Sequence, residues 1–168
     1  MIDMGITSFK IEGRMRSIYY IATILTIYRK AIDDFCSDSL NYNYNPLEQK
    51  VLDNCSNRDS IPQFFNNDFG KNCQYYNGRE EVSNQDFVGV VLDYDSKTGL
   101  ALIEQRNYFK TFDIVEIFGP EIGTKEVIIK EIYDENNQLI DVVNHPQQLV
   151  KIKISTPIYK GNLIRMKH

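Results

Sequence analysis

The chain has 168 residues, of which 42% are hydrophobic and 25% charged, and its formal net charge at pH 7 is -4. This length can bury one main hydrophobic core and a smaller one, which indicates one principal domain with an N-terminal appendage. The acidic balance argues against tight binding of nucleic acid through bulk electrostatics, and it leaves open a local basic patch.

The first predicted element is a strand that runs through a turn into a helix. Side chains alternate along residues 8–12, which places Lys10 and Glu12 on one face of the predicted strand. Gly13 permits the turn, and Ser17 is suited to the N-cap of the helix that follows. The pattern is typical of a strand-helix corner in an α/β enzyme.

The helix predicted over residues 18–35 is amphipathic. Apolar side chains recur at helical spacing along its length, with polar side chains opposite. The apolar face is too wide to remain in water. In isolation we expect it to pack on the rest of the chain, to form a homodimer with a second copy, or to cause aggregation. The predicted strand and this helix together form the first predicted domain, residues 1–36.

Residues 37–85 are predicted to be an irregular linker. They are rich in Asn, Asp, Ser, Tyr and Phe. One short helix is expected from Pro46 to Asn54, because proline suits the first turn of a helix. The aromatic side chains indicate a loop laid over a surface rather than a disordered segment.

Residues 86–168 show the alternation of short antiparallel strands. The first two predicted strands form a hairpin closed through Gly99. The seven predicted strands cover residues 87–94, 100–105, 113–118, 125–133, 139–143, 149–155 and 162–166. So many short strands predict a mainly β fold, in the form of a closed or nearly closed antiparallel barrel.

This β region resembles the second-domain barrel of translation factors. Phe112-Asp113 and Gly161-Asn162 occupy the places of two turns that are usually Gly-Asp, each followed by a strand. Phe112 therefore stands where glycine would adopt a positive φ more freely. The barrel prediction rests on the alternation of the strands and not on these turns.

The three cysteines, Cys36, Cys55 and Cys73, are odd in number and have no Cys-x-x-Cys spacing. This pattern indicates reduced thiols, with neither a disulfide framework nor a zinc or iron-sulfur site held by this chain alone. The sequence shows no secretory leader and no apolar run of membrane-spanning length. We therefore expect no cofactor in this chain, no membrane association and a cytoplasmic location.

Five stretches resemble the collagenase-like peptidases of family U32 and occur in that family's order. They are Ser-Phe-Lys-Ile-Glu-Gly-Arg-Met at residues 8–15, Ser56-Asn57-Arg58, residues 86–94, residues 104–107 and His145-Pro146-Gln147-Gln148. The resemblance implies the C-terminal part of a U32 protein. Residues 1–36 would then end a catalytic α/β barrel, and residues 86–168 would form an accessory domain.

The resemblance implies two alternative activities for the complete protein. The family is named for peptidases, yet some bacterial members help to hydroxylate a uridine in tRNA or a base in ribosomal RNA. Its larger N-terminal region carries the catalytic barrel and the cysteines thought to hold an iron-sulfur centre, and this sequence has no counterpart of that region. The expected partners are the missing barrel, which needs about 250 residues, and either a protein substrate or tRNA.

Two groups of residues are candidate sites. Lys10, Glu12, Arg14 and Arg16 would line the rim of a barrel pocket, where a cation holds a carboxylate or phosphate and Glu12 orients it or acts as a base. The alternative is an ion-paired strand end. Lys151 and Lys153 are a candidate nucleic-acid patch, for which the alternative is an ordinary solvated surface.

No catalytic residues are identified, because the chain lacks the spacings of serine hydrolases, zinc peptidases and phosphate-binding loops. We expect the chain alone not to be catalytic. The favoured interpretation is a peptidase-family accessory barrel that positions substrate for the missing catalytic domain. An RNA-docking module of a tRNA uridine hydroxylation protein and a non-catalytic remnant remain as alternatives.

Overall fold

The structure is a computed structural model that describes residues 1–14, 16–55, 65, 67, 69–71 and 87–167. Several predictions lie outside the described residues. They concern Ser56-Asn57-Arg58, Cys73, Asp86 and most of the linker.

The N-terminal residues differ from the prediction. A short 3-10 turn covers Ile2–Met4 and ends at Gly5, which has a φ of 79°. The strand predicted over residues 8–12 is wrong, because these residues belong to neither of the two sheets in the described part of the chain. A strand forms only when a neighbouring strand accepts and donates its backbone hydrogen bonds, and no such neighbour flanks this segment among the described residues.

Both predicted helices are present. Helix α1 covers Ile18–Ser37, and the hydroxyl of its N-cap Ser17 accepts a hydrogen bond from the Tyr20 backbone N–H at 3.2 Å. Helix α2 covers Pro46–Cys55 and starts on the proline, as predicted. An ion pair between Lys30 of α1 and Glu48 of α2 joins the two helices, and this hydrogen bond is the main reason that the pKa of Lys30 is raised.

The β region contains ten strands in residues 87–167. They are β1 (Phe87–Asp95), β2 (Leu100–Gln105), β3 (Phe109–Lys110), β4 (Ile114–Gly119), β5 (Gly123–Ile128), β6 (Ile132–Tyr133), β7 (Leu139–Ile140), β8 (Val142–Val143), β9 (Leu149–Lys153) and β10 (Leu163–Met166). Eight of them form one antiparallel sheet in the order β5-β4-β10-β1-β2-β9-β6-β7, and β3 pairs with β8. The mainly antiparallel β fold is therefore confirmed.

The segment between β3 and β4 connects the two ends of the large sheet. Its edge strands are β5 and β7. The Thr111 N–H donates to the Asp141 carbonyl at 2.9 Å, next to β7, and the Phe112 N–H donates to the Ile129 carbonyl at 2.7 Å, next to β5. The sheet curls around one apolar core to which the described strands contribute, including Val91, Ile103, Phe109, Ile117, Ile132, Val143, Ile152 and Ile164.

Two predicted strands are each divided in the structure. The strand predicted over residues 125–133 is interrupted at Ile129. Its N–H donates to the Asp113 carbonyl, but its own carbonyl accepts from the Phe112 N–H, and the chain then pairs with β9 as β6. The strand predicted over residues 139–143 is interrupted at Asp141, where the pairing partner changes from β6 to β3. In both places the chain exchanges one neighbour for another, and periodicity alone does not signal such an exchange.

Candidate functional site

The charged N-terminal segment forms an exposed turn. Lys10 Nζ lies 3.9 Å from Glu12 Oε2, and both side chains are well exposed. Glu12 Oε1 accepts a hydrogen bond from the Arg14 backbone N–H at 3.3 Å, and the Arg16 N–H donates to the Gly13 carbonyl at 2.9 Å. An exposed pair of this kind contributes little to stability, so the turn is held mainly by its backbone bonds.

The four predicted rim residues do not converge on one pocket. Lys10, Glu12 and Arg14 adjoin in the turn, whereas the Arg16 guanidinium lies over the Tyr20 ring of α1, 5.1 Å from its centroid. Such a cation over an aromatic face is a modest attraction that fixes the Arg16 side chain on the helix. The four residues therefore provide an ion pair between Lys10 and Glu12 in the turn, while the Arg16 guanidinium packs on helix α1.

An apolar groove of about 270 Å³ lies between the N-terminal turn and the second half of α1. It is lined by Met1, Ile2, Asp3, Phe9, Ala31, Ile32, Phe35 and Tyr42. None of the four rim residues lines this groove. Ile18, Leu25 and Tyr28 are also exposed on α1, so this unit presents a broad apolar surface.

The first turns of α1 pack against the outer face of the large sheet. The Tyr19 ring stacks on Phe87 of β1 with centroids 4.9 Å apart, and it meets Phe118 of β4 edge-on at 6.3 Å. Leu163 of β10 and Cys55 at the end of α2 are buried in the same cluster. This cluster, which we call the helix-sheet seam, joins the helices to the β region through aromatic packing.

A buried ion pair borders the helix-sheet seam. Arg165 Nε donates to Glu116 Oε2 at 2.7 Å, and the Arg165 guanidinium lies 4.7 Å from the centroid of the Phe118 ring. Arg165 is only 8% exposed. A charged group removed from water in this way needs its partner, so the pair has a structural role.

The predicted nucleic-acid patch lies on the outer face of β9. Lys151 Nζ donates to Asn137 Oδ1 at 2.7 Å, while Lys153 is exposed and has no ion pair within the described residues. Tyr133, opposite Lys151, donates its hydroxyl to Glu131 Oε2 at 2.7 Å, which raises the pKa of Tyr133. The carboxylate of Glu131 dilutes the positive charge near Lys151.

One exposed aromatic residue was not predicted as a site. Phe112 has a φ of 69° and is 76% exposed, between β3 and β4. The signal in the sequence was the phenylalanine in a turn position that usually holds glycine. Gly161, in the second such turn, has a φ of 91°, so both turns adopt the left-handed backbone conformation.

The described residues do not fit an iron-sulfur centre. Cys36 is exposed near the end of α1, whereas Cys55 is buried and donates its thiol to the Leu52 carbonyl at 3.2 Å. Across the described ranges, no three His, Cys, Asp or Glu side chains converge on a common metal position. None of the described helices has the length and apolar character to cross a membrane.

Two family models match this chain, one over the part that contains the helices and one over the part that contains the β strands. The model of Peptidase family U32 matches residues 1–74, and that of the Peptidase family U32 C-terminal domain matches residues 83–165. The boundary between the matches falls between α2 and β1.

Three related proteins indicate the range of the family. The chain is 44% identical over 165 residues to tRNA hydroxylation protein P1 of Bacillus subtilis, covering 98% of this chain and 39% of that protein. It is 26% identical over 140 residues to a collagenase of Porphyromonas gingivalis, covering 83% and 38%. It therefore spans about two fifths of the length of these relatives.

The third is a crystal structure of the C-terminal domain of a Geobacillus thermoleovorans protein named as a U32 peptidase. That domain is 44% identical to this chain, and the match covers 48% of this chain and 98% of the domain, with a TM-score of 0.47. The two U32 matches, at residues 1–74 and 83–165, together span almost the whole chain. The chain belongs to peptidase family U32 and contains the C-terminal domain of that family.

Proposed function

We propose that this chain is the substrate-docking part of a tRNA hydroxylation protein of family U32, in which the β region binds RNA. The observation that carries the proposal is the 44% identity to tRNA hydroxylation protein P1 over 98% of the chain. The identity to the collagenase is 26% over 83% of the chain. Similarity therefore favours the RNA alternative over the peptidase interpretation.

The geometry of the candidate residues supports docking rather than chemistry. Lys10, Glu12 and Arg14 form an exposed turn outside the apolar groove. General acid-base catalysis needs groups held at a reacting atom, usually in a site that shifts their pKa. For this part of the protein, we propose that binding and positioning are the task.

The expected partner within the complete protein is the rest of the U32 catalytic region. The N-terminal match to that family and the broad apolar surface of α1 both support this proposal. Burying such a surface is favourable by roughly 25 cal/mol for each Å² of apolar area. A homodimer through α1 is the competing way to cover the same residues.

RNA binding is tested directly by titrating bulk tRNA with the 168-residue chain in an electrophoretic mobility assay at low and at physiological salt. We expect retarded migration at low salt that weakens as salt increases, because phosphate contacts release counterions. Absence of a shift at low salt would contradict the proposal. Retention of the chain on immobilised gelatin, without a tRNA shift, would restore the peptidase interpretation.

The Lys151→Glu/Lys153→Glu variant tests the predicted patch in the same assay. Loss of the shift would place the RNA on the outer face of β9. Lys125→Glu/Lys160→Glu is the matched double charge reversal, at an exposed lysine of β5 and an exposed lysine that precedes β10. If both variants weaken the complex equally, the two lysines of β9 act only through net charge.

A further inference from the structure

We infer that RNA contacts the β region at a surface centred on Phe112. This Phe112 surface consists of Phe112, the apolar side chains of Ile114 and Ile128, and two lysines, Lys110 and Lys130. The inference rests on the proposed function and deepens it, because it names the residues that contact the bases and the phosphates.

The backbone holds Phe112 in a fixed, unusual conformation. Its N–H donates to the Ile129 carbonyl at 2.7 Å, and the Ile129 N–H donates to the Asp113 carbonyl at 3.0 Å. The φ of 69° disfavours any residue with a Cβ, and glycine would adopt it more easily. A side chain that is 76% exposed recovers little of that cost through burial. An exposed aromatic residue kept at a strained position indicates a contact made outside the folded chain.

The neighbours of Phe112 extend the apolar surface. Ile114 of β4 pairs directly with Ile128 of β5, and these side chains are 40% and 48% exposed. Val142 of β8 is also exposed and pairs with Lys110. An aromatic face beside aliphatic side chains suits an unpaired base, which stacks on the ring while its sugar packs on the aliphatic groups.

Two exposed lysines supply the complementary charge. Lys110 precedes the Phe112 turn by two residues, and Lys130 follows Ile129, whose carbonyl accepts the Phe112 N–H. Neither lysine has an ion pair within the described residues. Cations close in the fold to an exposed aromatic residue suit single-stranded nucleic acid, in which bases alternate with phosphates.

The acidic groups nearby limit the positive field without removing it. The Asp113 carboxylate accepts the Lys110 backbone N–H at 2.9 Å, so it is held by the turn. Asp141 is exposed next to β7, and its backbone carbonyl accepts the Thr111 N–H. Binding is therefore expected to depend on stacking as well as on charge, and to lose less of its strength in salt than purely electrostatic binding.

The test compares variants of the 168-residue chain in fluorescence anisotropy titrations with bulk tRNA and with a labelled single-stranded RNA. Phe112→Ala should weaken binding by about 5- to 100-fold, the loss expected for one stacked base. Lys110→Glu/Lys130→Glu should also weaken binding and reduce its salt dependence. Phe112→Gly should weaken RNA binding while the melting temperature stays equal or rises, which separates loss of contact from loss of fold.

Tyr159→Ala is the matched aromatic control. Tyr159 is 50% exposed, and its backbone N–H donates to Asn162 Oδ1 at 2.8 Å. The Asn162 side-chain amide also donates to Glu121 Oε2 at 3.3 Å. Glu121 follows the C-terminal end of β4, whereas Phe112 precedes its N-terminal end, so Tyr159 is remote from the Phe112 surface. We expect wild-type affinity from Tyr159→Ala.

The outcomes separate this inference from the proposed function. If wild-type chain binds RNA and the Phe112 and lysine variants bind equally well, the Phe112 surface is wrong and the proposed function stands. If wild-type chain does not bind RNA at low salt, both fail. If RNA binding is unchanged and Phe112→Ala instead weakens binding to the rest of the U32 region, the surface is a protein interface and the inference is overturned.

Discussion

Apolar side chains are buried to different extents in the two regions of the molecule, the helical region of residues 1–55 and the β region of residues 87–167. The β region encloses a continuous core whose central side chains have no exposed surface. The helical region leaves Ile18, Leu25 and Tyr28 exposed. Few of its described residues are buried, and two of these, Tyr19 and Cys55, lie in the helix-sheet seam. We therefore expect the β region to fold on its own, and we expect the apolar surface of the helical region to be covered by the partner proposed above.

The largest expected effect is a cavity in the β core. Phe109 is fully buried in the core of the β region. Phe109→Ala should lower the free energy of unfolding by about 3–5 kcal/mol, measured by urea denaturation. Leu25→Ala, at an exposed position of α1, is the matched change and should cost much less. Equal losses would contradict the contrast between the two regions.

The next effect concerns the ion pair between Glu116 and Arg165. Glu116→Gln removes the charge that compensates the buried guanidinium, so we expect a loss of about 2 kcal/mol in the free energy of unfolding. Glu126→Gln is the control, because Glu126 pairs with Lys167 at an exposed position. A similar loss in both variants would mean that burial does not strengthen the pair between Glu116 and Arg165.

A smaller effect is expected at the helix-sheet seam, where loss of the aromatic contact should loosen the helices and not the β strands. Tyr19 stacks on Phe87, and a double-mutant cycle between the two should give a coupling of about 0.5–1.5 kcal/mol. Tyr19→Ala should also increase amide hydrogen exchange in α1 and leave exchange in β2 and β9 unchanged. Increased exchange throughout the β strands would show that the β region depends on the helices.

Relief of backbone strain at Phe112 should raise the free energy of unfolding, whereas the variants above lower it. Phe112→Gly replaces an exposed residue with a positive φ, so we expect an increase of about 0.5–1 kcal/mol in the free energy of unfolding. Tyr108→Gly, at an exposed residue without a positive φ, is the control and should be destabilising. Destabilisation by Phe112→Gly would mean that the side chain has stabilising contacts in the folded chain.

The smallest effect is pH dependent. Asp95 accepts hydrogen bonds from the Thr98 hydroxyl at 2.7 Å and the Lys97 N–H at 2.9 Å, and these bonds lower its pKa, with the Thr98 bond as the larger cause. A lowered pKa in the folded state gives stability that is present above the unfolded value of about 3.9 and is lost as the pH falls through the folded value. In the Asp95→Asn variant, the melting temperature should therefore fall less steeply as the pH is lowered. An unchanged dependence of the melting temperature on acidic pH would contradict this role of Asp95.

The elements with local signals were predictable from the sequence. Ser17 and Pro46 mark the starts of α1 and α2, and Gly99, with a φ of 74°, closes the β1–β2 hairpin as expected. The breaks at Ile129 and Asp141 were not predictable, because they depend on hydrogen bonds to a segment distant in sequence. The strand over residues 8–12 failed for the related reason that alternation does not supply a neighbouring strand.

The candidate sites were predictable to different degrees. Lys10, Glu12 and Arg14 do adjoin, as their spacing suggested, but the contact of Arg16 with Tyr20 depends on the direction in which α1 leaves the turn. The role of these four residues in a barrel pocket stays a prediction, as does that of Lys151 and Lys153 in binding RNA. The exposure of Phe112 depends on the long-range pairing that fixes its turn.

The most direct test of this account is a titration of the isotopically labelled 168-residue chain with tRNA at low salt, followed by amide chemical shifts. We predict that the largest shifts occur in the β region, around residues 110–114 and 128–130, with little change in residues 5–37. Shifts confined to the helical region, or no shifts at saturating tRNA, would contradict the central claim that the β region docks RNA.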